Sequence, residues 1–145
     1  AEKNNVNIIL PIDVIASDEI SADSDWSVIT LEELPNNLYG LDIGPESCAL
    51  FNEYLVNSKT VFWNGPVGIA EISQFSIGTQ SLASTLKSLT EEGVTTVIGG
   101  GDTASILIAS GHDDSFSHIS TGGGASIQLL SGHELPAFSE MELSE

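Results

Sequence analysis

An α/β fold, with a parallel sheet covered by helices on both faces in a Rossmann-like three-layer arrangement, is what this 145-residue sequence predicts. Three observations carry that expectation. Short runs of β-branched, aromatic and small residues recur at 60–63 (TVFW), 95–98 (TTVI) and 117–120 (SHIS). Each is followed by a glycine-bearing turn: NGPVG at 64–68, GGG at 99–101 and TGGG at 121–124. Each turn leads into a segment of helical spacing, and strand, turn and helix in succession require parallel strands joined by crossovers.

Taken in order, residues 6–15 (VNIILPIDVI) read as one buried strand that passes through Pro11 into a loop. The polar stretch 17–37 is an excursion with a short strand in its apolar patch, 26–31. Leu41, Asp42 and Ile43 end a strand, and Pro45 and Glu46 suit the unpaired amides of a helix start. Helical spacing continues through Ala49, Leu50, Glu53 and Tyr54 to about Ser58. The helix expected over 75–92 carries Phe75, Leu82, Leu86 and Leu89 on one side, and Gly93 stands where a left-handed cap belongs. Gly111 and Gly132 close two shorter helices, over 102–110 and 125–130.

Charge and composition exclude several classes. Against 21 Asp and Glu there are three Lys and no Arg, for a formal charge of -18, so binding nucleic acid unaided is not expected. An apolar fraction of 41% is too high for an acidic disordered tail and fits one folded domain. The single Cys48 makes no internal disulfide, the start AEKNNVN lacks a secretory layout, and no apolar run approaches the roughly 18 residues of a membrane span. A soluble, cytoplasmic protein with no membrane partner is the expectation. The acidity itself fits a salt-adapted surface, a solvated acidic face, or a chain whose cations lie elsewhere in a larger molecule.

In an open parallel sheet, ligands sit outside the carboxyl ends of the strands. Two glycine triplets there, each opening a helix, let a backbone approach a phosphate closely. One triplet alone could equally be a loop. The P-loop pattern is absent, and Lys3, Lys59 and Lys87 follow no glycine turn. Residues 99–104 satisfy G-x-G-x-x-A, but the acid required at the end of the next strand is replaced by Ser120, which leaves a nicotinamide dehydrogenase a minor alternative. Asp102 either caps the helix that follows or binds magnesium, which takes one or two carboxylates plus nucleotide phosphates. Thr103 either offers a phosphate its hydroxyl or is an ordinary helix residue. His112, His118 and His133 lack metal-ligand spacing and are expected to be structural.

TVFWNGPVG at 60–68, VIGGGDT at 97–103 and FSHISTGGGASIQLL at 116–130, followed by GHELP, resemble phosphoglycerate kinase. So do ILPIDVIASDEISAD and YGLDIGPES upstream, in the same order. The likeness is to the later part of that family's carboxyl-terminal, nucleotide-binding domain and covers nearly the whole chain. It implies phosphoryl transfer between 1,3-bisphosphoglycerate and MgADP, giving 3-phosphoglycerate and MgATP in glycolysis. It also implies roles: Gly40 near the adenine, Gly65 and Val67 in the pocket wall, Asn64 toward the nucleotide phosphates, and Glu71 on the ribose hydroxyls. Gly100, Gly101 and Thr103 fall at the phosphates, Asp102 at magnesium, and Gly122, Gly123 and Gly124 face the phosphoryl group in flight.

The chain departs from the family pattern at Ala70, where an aromatic is common and whose loss would thin one wall of the nucleotide pocket. It departs again at Tyr39, and at Glu19, commonly basic. It also lacks counterparts of the family's amino-terminal substrate domain and of the first half of its nucleotide domain. Little or no turnover is therefore expected of residues 1–145 alone, with 3-phosphoglycerate bound only through the missing portion, in cis or in trans. The competing expectations are a stand-alone nucleotide-binding or regulatory module and a relic that folds without ligand.

Overall fold

The computed structural model describes residues 1–112 and 114–135, which form two three-stranded sheets and four α-helices. β1 (Asp13–Ser17), β2 (Ser27–Thr30) and β3 (Tyr39–Ile43) make an antiparallel sheet in the order β2-β1-β3. α1 (Pro45–Leu55) leads to β4 (Thr60–Asn64), α2 (Ile77–Glu91), β5 (Thr95–Gly99), α3 (Gly101–Ala109), β6 (His118–Ser120) and α4 (Gly123–Leu130). β4, β5 and β6 pair in parallel and in sequence order, as the repeated strand, turn and helix require. The α/β class and the parallel sheet agree with expectation; the separate antiparallel sheet is an addition to it.

Residues 6–12 correct the first expected strand. Only Asp13 onward is paired, and Val6, Ile8 and Leu10 are exposed, Ile8 at 68%. β1 is buried along its whole length because it has a strand on either side and α1 packed on it. Phe75 also leaves its expected helix: it sits in a 3-10 turn (Ser73–Phe75) and fills a core with Ile15 and Leu41. The main core joins Trp63, Leu82, Leu86, Ile98, Leu107 and Phe116, so α2 and α3 close over the parallel sheet through their apolar stripes. Gly93, Gly111 and Gly132 follow their helices with positive φ, as the left-handed cap requires.

Two buried aspartates fasten helices to the antiparallel sheet. The Asp13 carboxylate accepts from the Glu46 and Ser47 amides at the start of α1 and from the Ser47 hydroxyl. Asp42 accepts from the Gly78 amide at the start of α2. Burial alone would raise the Asp13 pKa, but the Ser47 hydroxyl and the Ser47 and Glu46 amides together outweigh it and hold the carboxyl below its usual value. At Asp42 burial prevails over the Gly78 and Ile43 amides and pushes the pKa up. Each helix thus draws its capping oxygen from a strand distant in sequence, since Gly44 and Ser76 at the helix starts make no side-chain cap.

Candidate functional site

Register aligns the ends of the parallel strands. Asn64 stands opposite Gly99, and Gly99 opposite Ser120, so the three turns that follow emerge along one edge. There Asn64, Gly65, Pro66, Gly100, Gly101, Asp102, Thr103, Thr121, Gly123 and Gly124 line an open depression of about 300 Å³. The first glycine triplet is tied to the strand end that leads into the second by the Gly100 amide, which donates to the Ser120 carbonyl at 3.0 Å.

Glycine is required at two of these positions for different reasons. Gly100 has φ of 98°, a conformation that L side chains rarely adopt. Gly123 is a matter of space: a Cβ there would overlap Asn64 Oδ1 and lie 2.6 Å from the Gly100 nitrogen. The Asn64 carboxamide is thus wedged between the two triplets, and a Cβ on Gly99 or Gly100 would come within 3.1 Å of its oxygen.

Neither α3 nor α4 has a side-chain cap; Gly100 and Gly122 occupy their N-cap positions. First-turn amides have no partner within their own helix and carry the positive end of its dipole. Both therefore offer donors to an anion in the depression. Asp102 is not the N-cap. It lies within the first turn of α3, exposed and with no capping bond, so its carboxylate is available to a ligand at the rim. No group of three or more His, Cys, Asp or Glu among the described residues could hold a metal by protein ligands alone. The donors fit magnesium of the kind held by one carboxylate and by phosphate oxygens.

Thr103 is 1% exposed, and its Oγ1 accepts from the Gly65 amide at 3.0 Å, tying α3 to the turn after β4. Gly40, Val67 and Glu71 do not line the depression. Gly40 belongs to β3, where a Cβ would meet Val14, and Val67 packs against the main core. Gly122 caps α4 beside the depression without lining it. Ala70 lines a separate crevice of about 40 Å³ between α2 and the end of α3, with Thr79, Ala83, Leu107 and His112. Ala70 is not among the residues that line the depression at the glycine turns. Sequence reasoning missed Thr121 in the lining, and it missed Thr79 and Asp42, whose partners are too distant for any local pattern to reveal.

The family model for phosphoglycerate kinase matches residues 1–133. Phosphoglycerate kinase of Chlorobium chlorochromatii is 43% identical over 141 residues, which are 97% of this chain and 36% of that protein. The enzyme of Thermosynechococcus vestitus is 44% identical over 142 residues, 98% of this chain and 36% of its own length. Among solved structures, phosphoglycerate kinase from Coxiella burnetii superposes with a TM-score of 0.86 at 36% identity, covering 95% of this chain and 35% of that one. The chain thus spans about a third of the length of the relatives it matches.

Proposed function

Since the chain belongs to the phosphoglycerate kinase family, we propose that it is the later part of a nucleotide-binding domain that grips MgADP and MgATP. The reaction it serves is phosphoryl transfer between 1,3-bisphosphoglycerate and ADP. A further portion of the kinase, in cis or in trans, holds the phosphoglycerate. The observation that carries this reading is the convergence of two glycine turns, two uncapped helix starts and one free carboxylate on a single depression.

Phosphoryl transfer involves charge spread over the migrating group, and fixed donors aimed at that charge lower the barrier. Gly101 at the start of α3 binds phosphate oxygens through its amide, beside the Gly100 turn, and Asn64 orients them from between the triplets. Gly122, Gly123 and Gly124 present their backbone to the group being transferred. Asp102 holds magnesium, which when bound offsets the nucleotide's charge. Thr103 keeps its hydroxyl proton for a phosphate while its oxygen holds Gly65. Gly40, Val67 and Glu71 serve the adenosine end, outside the phosphate depression, and Gly65 forms part of the wall of the depression itself.

Calorimetric titration with MgADP tests the reading. Heat of binding is expected at millimolar nucleotide or below, and no heat overturns it. Asp102→Ala is expected to bind ADP equally with and without magnesium; an undiminished magnesium dependence would remove Asp102 from its role. Supplying the remaining portion of a kinase and assaying transfer separates a working part from a binding module that has lost catalysis.

A further inference from the structure

The segment 65–69 is pinned at every second amide. Gly65 donates to Thr103 Oγ1 on α3 at 3.0 Å, Val67 to Thr79 Oγ1 on α2 at 2.8 Å, and Ile69 to the Leu41 carbonyl on β3 at 3.0 Å. The middle pin is double. The Thr79 hydroxyl also donates to the Val67 carbonyl at 2.7 Å, so one side chain, 2% exposed, satisfies both polar backbone groups of a single residue.

Thr79 is itself held in place. Its neighbour Gly78 donates to Asp42 Oδ2 at 2.9 Å, and a Cβ on Gly78 would stand 2.7 Å from Ile43 Cγ1 and 2.9 Å from Val67 Cγ1. The first turn of α2 is therefore pressed against both β3 and the segment, leaving little room for Val67 to drift. Ahead of Val67 lie Asn64 and Gly65, which line the depression; beyond it the chain runs through Ile69 to Glu71.

We propose that Thr79 is a positioning residue of the nucleotide site: its hydroxyl fixes Val67, and through Val67 the placement of Asn64 and Gly65 against the glycine turns. The inference rests on the nucleotide reading above. A threonine that merely satisfied buried backbone groups would contribute to stability alone. A positioning threonine alters affinity in protein that remains folded.

The experiment compares the native chain with Thr79→Val, which keeps shape and loses the hydroxyl, and Thr79→Ser, which keeps the hydroxyl. MgADP is titrated at a temperature where circular dichroism shows every protein folded, and amide exchange is followed by NMR at Gly65, Val67 and Ile69. Thr79→Val is expected to weaken MgADP about tenfold and to speed exchange at these amides at least tenfold, with Thr79→Ser within twofold of native in both. If Thr79→Val does not fold, Thr79→Ala is read with the same expectations. Native affinity in the variant lacking the hydroxyl overturns the inference, as does a serine variant no better than valine. Absence of heat from the native protein overturns the nucleotide reading instead, and the positioning role with it.

Discussion

Gly123→Ala tests the meeting of the two glycine turns. The added methyl would overlap Asn64 Oδ1 and stand 2.6 and 2.7 Å from the nitrogen and Cα of Gly100. A flexible side chain could move aside, but the Gly100 backbone is fixed by its bond to Ser120 and by a φ that only glycine adopts readily. The turns must therefore separate, at the usual overpacking cost of about 1–3 kcal/mol. For a chain of this length that is a fall in melting temperature of about 3–10 °C. Gly124 is the internal control: a Cβ there meets nothing within 4 Å, and it lies in the first turn of α4. Gly124→Ala is expected to stabilise by about 0.4–1 kcal/mol through the lost freedom of the unfolded chain. Adjacent glycines thus give opposite signs in thermal unfolding. Equal shifts for the two variants, or a Gly123→Ala protein as stable as native, would refute the close approach of the turns.

Asp13→Asn is expected to lower stability at pH 7 by about 1–3 kcal/mol through loss of charged acceptors for the start of α1. Because the Asp13 pKa lies below the ordinary aspartate value of about 3.9, that deficit is complete above it and closes as pH falls through the folded-state pKa. Urea midpoints measured from pH 7 to pH 2.5 check this, and a constant gap would contradict it. Asp42 has the opposite sign: its raised pKa favours the fold below the ordinary value, an advantage lost as pH rises through the folded-state pKa, so Asp42→Asn costs less at pH 7 than at pH 3. Ala70→Val is expected to stabilise by up to about 1 kcal/mol by filling the 40 Å³ crevice between α2 and α3, at roughly 24 cal/mol per Å³. A lower melting temperature would mean that the crevice cannot admit the extra carbons.

Features governed by local chemistry were legible in the sequence. The helix ends at Gly93, Gly111 and Gly132 follow from what only glycine does readily at positive φ, and the strand starts at Thr60 and Thr95 from β-branched runs. The meeting of the glycine triplets could also be anticipated, because parallel strands place successive turns on one edge. What failed depended on distant partners. The apolar run at 6–12 reads alike whether or not another chain segment covers it, so its exposure had no signature. Asp102 follows the glycines as an N-cap would, yet Gly100, two residues earlier, takes that position because the helix already starts at Gly101 inside the triplet. Thr79 looks like any helix threonine until Val67, 12 residues away, is laid against it.

The charge and the site place one demand on any polyphosphate that binds here. With 21 carboxylates against three lysines, the protein repels anions at long range, and at 0.1 M salt that repulsion extends about 10 Å. The donors in the depression act only at contact: amides of two helix starts, each equivalent to about half a positive charge at most. They cannot neutralise a nucleotide diphosphate, and Asp102 on the rim adds a further negative charge. A divalent cation between Asp102 and the phosphates removes the worst contact, which is why one exposed carboxylate beside an anion site argues for a metal complex and not for the free nucleotide. None of the three lysines lines the depression, so a nucleotide bound there keeps part of its charge unmatched by these residues. On the proposed reading that remaining charge would be met by cations contributed from outside these residues, and phosphoryl transfer assayed with and without the rest of a kinase tests it.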